Sequence, residues 1–469
     1  MTAVLQKRGD PKRALAAAYL LRIYITLDIM GYSVSLPVIA AGFDALEWYA
    51  VILVAGATAT TIVSALSGRL TLLAGRRRAM LVSVLGTAGC SVFCAFSGSL
   101  PLFLAGYFCK NLFAGVATTM PVGILADSTS REERPRYMSL YSVMNNMGNL
   151  LGPLLGGLVT DRFGFWLTPL YPLPLAAWAV AMLLRYYRQP AGEAVRHEAF
   201  DFSGGAMLIG GVGSLVVFLN LGGQRLSWRS PVLWGLALLF LLCLGLFLRH
   251  GRRQENAVIP LSLFRVRSFA VANLLIPLII PQMTLSNNFA LLLVQVGMGR
   301  SAASSATYAI PKTLAIILAS LLLGKWIIRH PIWQKRFVLI SGGLIGGVEL
   351  LMGLTGSWEA FPALLYGFTF LLGLGEALYY MTLYALYQRD LSPAQMPTGI
   401  SAQFLLASLS TSLCSSIYGV LLTAWGGDIM AAYPVMCYVT LIPTTLYLVI
   451  AASCRSVFGG REHEPPPAS

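Results

Sequence analysis

Apolar residues gather along this chain into stretches of about twenty, separated by short polar breaks. Each stretch is long enough to cross a hydrocarbon core of about 30 Å as a helix. Fourteen spans are predicted, over 16–40, 47–67, 79–98, 101–126, 137–160, 165–186, 203–222, 231–248, 268–296, 303–324, 337–356, 361–386, 399–423 and 432–453. The expected fold class is an all-α polytopic membrane protein with fourteen transmembrane helices.

Composition agrees with the pattern. Of the 469 residues, 57% are hydrophobic and 11% are charged, and the mean hydropathy is +0.71. An ordinary soluble domain carries about 25% charged residues, so too little polar surface remains to keep this chain in solution. The net charge of +14 at first suggests a nucleic-acid partner, but its distribution gives another reading. Of the 33 Lys and Arg residues, 26 fall in the N-tail, the even-to-odd connections (with Arg185 at the adjoining end of span 6) and the C-tail, and four in the odd-to-even connections. The other three, Arg22, Lys110 and Lys312, lie within spans. That asymmetry is the positive-inside rule. It predicts cytoplasmic termini and no nucleic-acid partner. The first span is too long for a cleavable signal peptide. Seven cysteines (90, 94, 109, 243, 414, 437, 454) lack metal-ligand or disulfide spacing and read as small apolar packing residues. No metal and no cofactor are expected.

The two longest connections, 187–202 and 249–267, bracket spans 7 and 8. A faint repeat accompanies them. Ser130–Pro135 after span 4 resembles Ser392–Pro397 after span 12, and Gly98-Ser99 before span 4 resembles Gly356-Ser357 before span 12. The expected organisation is a six-helix bundle over 1–187, an inserted pair with its flanking connections over 188–267, a second six-helix bundle over 268–455 and a tail over 456–469. Repeated halves are common in secondary transporters. Interior prolines (Pro37, Pro121, Pro153, Pro277, Pro281, Pro311) bend or loosen several spans.

Four stretches carry a family resemblance: Leu27-Asp28-Ile-Met-Gly-Tyr-Ser-Val-Ser-Leu36-Pro37, Gly148-x3-Gly152-Pro153-x2-Gly156-Gly157, Phe200-Asp-Phe-Ser-Gly-Gly205, and Ile259-Pro-Leu-Ser-Leu-Phe264-Arg-Val-Arg-Ser-Phe269. With the span order, they resemble the fourteen-helix drug:proton antiporters of the major facilitator superfamily. The resemblance implies the major facilitator fold, two six-helix bundles plus two inserted helices. Two motifs depart from the family's pattern. In Gly68-Arg-Leu-Thr-Leu72-Leu73-Ala-Gly75-Arg76-Arg77 the glycines and terminal arginines remain, but Leu72 and Leu73 stand where the family has an acid and an arginine. In span 4 the family's arginine aligns with Cys109, and Lys110 is its neighbour.

Ionisable residues inside spans cost about 2.5–3.5 kcal/mol each on insertion scales and are functional candidates by default. Asp28 lies mid-span, with Tyr24, Tyr32 and Ser35 on its face. Burial favours its neutral form and a nearby cation its ionised form, the combination a proton-exchanging group needs. Asp28, Lys110 and Glu376 are the candidates for proton coupling. A structural partnership of Asp28 with Lys110 is the competing reading. Tyr24, Tyr32, Asn149, Asn288, Lys312 and Tyr380 are the candidates for a substrate cavity, and Lys312 could instead neutralise Glu376. Gly68, Gly75, Arg76, Arg77, Gly148, Gly152, Pro153, Gly156 and Gly157 form the conformational motifs, with the glycines of span 5 expected to set packing between the halves. Arg22 is expected to snorkel toward the cytoplasm, and Glu349 sits in a peripheral span.

These features predict a secondary transporter exporting small amphipathic compounds by proton antiport. Its expected partners are a small-molecule substrate, protons and the lipid bilayer, and its expected place is a bacterial inner membrane. A dedicated exporter of one endogenous metabolite such as a siderophore is a second reading, and a non-transporting membrane sensor a third. An enzyme is not expected. His197, His250, His330 and His463 lie in connections or the tail, and no nucleophile elbow or phosphate loop occurs. The short turn at Gly426-Gly427-Asp428 leaves no long hairpin for a periplasmic adaptor.

Overall fold

The computed structural model describes residues 11–129, 134–187, 201–222, 226, 228–253, 261–329, 333–356, 361–391 and 396–454. Its helices are α1 (Pro11–Gly42), α2 (Tyr49–Ala74), α3 (Arg76–Ala95), α4 (Leu100–Ser128), α5 (Arg134–Phe163), α6 (Leu173–Tyr186), α7 (Phe202–Leu221) and α8 (Pro231–Arg253). Then follow α9 (Arg267–Gly297), α10 in two pieces (Ala302–Thr307 and Ala309–Arg329), α11 (Gln334–Thr355), α12 (Phe361–Arg389), α13 (Met396–Ala424) and α14 (Ile429–Ser453). Among the described residues, ten helices are long and apolar enough to cross a membrane. Three shorter apolar runs, Leu46–Thr60, Leu173–Tyr186 and Ser203–Leu215, accompany them.

Three elements differ from the apolar pattern, each for a local reason. The sixth helix starts at Leu173 rather than 165, because Gly164 turns the chain at φ 83° and Phe165–Leu167 form a single 3₁₀ turn. The ladder of α10 breaks at Tyr308, since Pro311 has no N–H to offer the Thr307 carbonyl. In α9 the α-helix ends at Thr284 and the helix continues through two π turns, Leu285–Phe289 and Leu293–Gly297. Pro281 likewise leaves the Pro277 carbonyl without its intrahelical donor, and the Ser410 hydroxyl of α13 donates to that oxygen at 2.7 Å.

The motif entering α7 has a simple physical basis. Asp201 caps the helix by accepting from the Gly204 N–H at 2.7 Å. A Cβ on Gly204 would collide with the Asp201 carboxylate, so the pair Asp201 and Gly204 is needed together. His250 Nε2 lies 2.7 Å from the same carboxylate and ties the end of α8 to the start of α7.

Packing repeats along the chain. In the first part α1 touches α4, α5 and α6, α2 touches α4, and α3 touches α4 and α6. In the last part α9 touches α12, α13 and α14, α10 touches α12, and α11 touches α12 and α14. The two sets meet where α2 lies along α13 and α5 along α10. The α7–α8 pair sits to one side, with α7 against α2 and α13. Val232, Trp234, Leu238, Leu241 and Leu242 of α8 point outward, an arrangement suited to lipid rather than water.

Candidate functional site

Asp28 and Lys110 meet inside the first set of helices. Asp28 Oδ2 lies 2.7 Å from Lys110 Nζ, and neither side chain is more than 3% exposed. Tyr24 and Tyr32, one turn to either side of Asp28, are buried with it. The Lys110 ammonium sits 3.5 Å from the centre of the Tyr32 ring and 5.8 Å from that of Tyr107. Tyr107 stacks on Phe103 at 5.8 Å and fits against α2 where Gly56 leaves it room. The rings thus surround the cation where oxygen atoms do not, and a desolvated cation–π contact is worth about 2 kcal/mol. Asp28 Oδ1 and the Tyr24 hydroxyl are buried and meet no hydrogen-bond partner among the described residues.

The second set of helices holds another pair. Lys312 Nζ of α10 lies 2.5 Å from Glu376 Oε1 of α12. It also donates to Ser286 Oγ at 2.9 Å and to Asn287 Oδ1 at 2.8 Å. Of the ammonium's three donors, two are taken by these oxygens, and the Glu376 carboxylate balances its charge. Ser286 and Asn287 reach it because they lie in the first π turn of α9, a widened turn of the kind that often marks functional sites. Each pair is neutral as a whole, which removes most of the cost of holding four ionised groups away from water.

The other candidates are placed as follows. Asn149 lies part-buried on α5, one turn from Asn145. Asn288 donates to the Thr284 carbonyl of its own helix at 3.3 Å, while its backbone oxygen accepts from Tyr49 at 3.1 Å; Asn287 is the asparagine that meets Lys312. Tyr380 is 39% exposed, packs edge-on to Tyr379 at 5.0 Å and points its hydroxyl at the Met283 sulfur. Glu349 is buried between α11 and α14, on helices neither pair uses, and accepts from Thr444 at 3.0 Å. Arg22 does not snorkel. Its Nε and Nη2 donate to Asn145 Oδ1 at 3.0 and 2.7 Å, and its guanidinium lies 5.2 Å from the Tyr141 ring. The facing helix supplies a polar partner that holds the side chain against α5. The spacing Tyr141–Asn145–Asn149 opposite Arg22–Thr26 was the available signal for this cluster.

The conformational motifs divide by location. Gly148, Gly152 and Gly156 form one seam of α5 against α1, where added Cβ atoms would lie 2.7–2.8 Å from Thr26, Met30 and Gly31. Gly157 alone of the four faces the other set of helices, with Ala302 O and Ala303 Cα 2.8 Å from its Cβ position. Three of the four glycines therefore set packing within the first half, because their four-residue spacing keeps them on one helix face. Pro153 is buried within the same stretch. Gly68 lies in α2, Gly75 turns α2 into α3 at φ 79°, and Arg77 donates to the Leu184 carbonyl at 2.8 Å. The side chains of Leu72, Leu73 and Arg76 lie outside the described residues.

Polar contacts also join the two sets at one end. The Asp161 carboxylate accepts from the Ala302 and Ala303 N–H groups at 3.1 and 2.9 Å. Gln295 Nε2 donates to the Val34 carbonyl at 2.8 Å and to Ser305 Oγ at 2.7 Å. These residues sit at the helix ends opposite the basic connections. Val34, Leu291, Ala302 and Ala306 close the same region with apolar contacts.

Comparison with known proteins places the chain in a family. A model of the Major Facilitator Superfamily matches residues 18–413. The chain is 23% identical to the multidrug transporter protein MdtP of Bacillus subtilis (strain 168) over 375 residues, which cover 80% of this chain and 68% of that protein. It is 26% identical to the putative multidrug resistance protein MdtD of Pectobacterium carotovorum subsp. carotovorum (strain PC1) over 451 residues, 93% of this chain and 92% of that protein. Among solved structures, the human organic anion transporter MFSD10 (TETRAN) superposes with a TM-score of 0.63 at 16% identity, covering 94% of this chain and 100% of that one. The last is a likeness of fold alone.

Proposed function

The chain belongs to the Major Facilitator Superfamily, and from that premise we propose that it exports small amphipathic compounds in exchange for protons. Its family and relatives make it a multi-pass membrane transporter rather than an enzyme. The finer reading adds fourteen crossings, cytoplasmic termini, two six-helix halves and an inserted pair at 188–267. The halves rock about a central pathway in a bacterial inner membrane.

One observation carries the proton-coupled reading. Asp28 is a buried carboxylate at mid-helix, held by one cation through one oxygen, with Oδ1 unpartnered. A proton arriving at Oδ1 displaces no donor. It converts a neutral pair into one with a net positive charge, which changes how the pair sits in a low-dielectric surrounding. The rings of Tyr32 and Tyr107 keep company with Lys110 in either state. The Lys312–Glu376 pair, whose lysine also donates to Ser286 and Asn287, reads as the more tightly held counterpart in the other half and as part of the substrate-facing wall.

The test is dye efflux in inverted vesicles with and without a proton gradient. Asp28→Asn is expected to abolish gradient-driven transport while leaving membrane expression intact. Wild-type rates in that variant would remove Asp28 from the mechanism.

A further inference from the structure

Of the three cations within the spans, Lys110 and Lys312 each face a carboxylate. Arg22 faces none among the described residues. A guanidinium has five N–H donors, and Asn145 Oδ1 takes two of them, from Nε and from Nη2. The same oxygen accepts from Thr26 at 3.1 Å, and the Tyr141 ring lies 5.2 Å from the guanidinium carbon. Among the described residues, three N–H groups meet no acceptor and no carboxylate balances the charge, on a side chain that is only half-buried. The fork is therefore fixed on one edge and open on the other.

Its place in the fold gives that open edge a use. Arg22 is eleven residues into α1 and six residues short of Asp28, which puts it about 9 Å from the carboxylate along the helix axis. It lies on the side of Asp28 toward the basic, cytoplasmic ends, and Asn149 continues its α5 face one turn further along. We propose that Arg22, oriented by Asn145 and Tyr141, binds an acidic group on the transported compound, so that the substrate class is amphipathic organic acids. A guanidinium fork suits planar or tetrahedral oxyanions held by two N–H groups at once. An acid docked there neutralises a cation that faces no carboxylate among the described residues, and an amine docked there would add to it. The assignment rests on the chain being a carrier with a pathway along α1 and α5, and it does not depend on which residue exchanges protons.

The experiment uses two probes with the same aromatic skeleton, 1-anilinonaphthalene-8-sulfonate and its uncharged parent N-phenyl-1-naphthylamine. Binding of each is measured to the purified full chain in phosphatidylcholine nanodiscs. Wild type is expected to bind the sulfonate at least about tenfold more tightly than the parent. Arg22→Gln should erase that preference, a loss of about tenfold or more for the sulfonate with the parent's affinity unchanged. Arg22→Lys, which keeps the charge and loses the fork, should fall between. A wild type with no preference for the sulfonate, an Arg22→Gln variant that retains it, or a variant in which both probes weaken together would overturn the proposal. So would displacement of the sulfonate by phosphatidylglycerol added to the discs, which would assign Arg22 to a lipid phosphate. Asp28→Asn is measured alongside for gradient-driven transport, so failure of the proton reading registers in flux and failure of the Arg22 assignment in binding.

Discussion

Single residues carried the candidate chemistry, and the sequence exposed them because ionised side chains in apolar spans stand out by cost alone. Asp28, Lys110, Lys312, Glu376 and Glu349 were all visible that way. Their partners were less so. The bond from Lys312 to Asn287 rather than Asn288 depends on a π turn, and Arg22 meets an asparagine 123 residues away. Neither leaves a trace in local pattern. The Asp28–Lys110 pair makes a clear prediction at this scale. Lys110→Met alone strands a buried carboxylate and should cost about 3–5 kcal/mol, read as lower thermal stability in detergent. Adding Asp28→Asn should recover most of that stability while transport stays uncoupled from the gradient. A double variant no more stable than Lys110→Met would show that the charges do not compensate one another.

At the scale of helices, apolar length found the ten long apolar helices among the described residues but missed how they bend and meet. The late start of α6 and the break in α10 follow from Gly164 and Pro311, residues that were visible but whose effect depends on which backbone bonds they remove. The glycines of α5 were read as a contact between halves, and three of them serve a contact within one half, since Gly148, Gly152 and Gly156 share a face with α1. Gly157, Asp161 and Gln295 instead serve a contact between the two sets of helices, beside that of α2 with α13. Asp161→Ala combined with Gln295→Ala should favour separation of α5 from α10 at that end. Spin labels at Arg162 and Arg300 should then gain a longer-distance population. An unchanged distance distribution would mean these bonds do not hold the end closed.

For the whole molecule, the charge asymmetry and the two long connections gave a layout before any contact was known. The packing adds a repeat that motif comparison only hinted at: the neighbours of α1, α2 and α3 recur as the neighbours of α9, α10 and α11. Buried acid–lysine pairs occur in both sets, α1 with α4 and α10 with α12. The altered motif between α2 and α3 was legible as a departure, but the side chains at Leu72 and Leu73 lie outside the described residues. In the proposed reading, energy coupling rests on Asp28. The most direct measurement places the purified chain in liposomes holding a pH-sensitive dye and imposes a substrate gradient with no initial pH difference. Substrate leaving should draw protons inward in wild type and not in Asp28→Asn. Substrate flux without any proton movement in wild type would contradict the account.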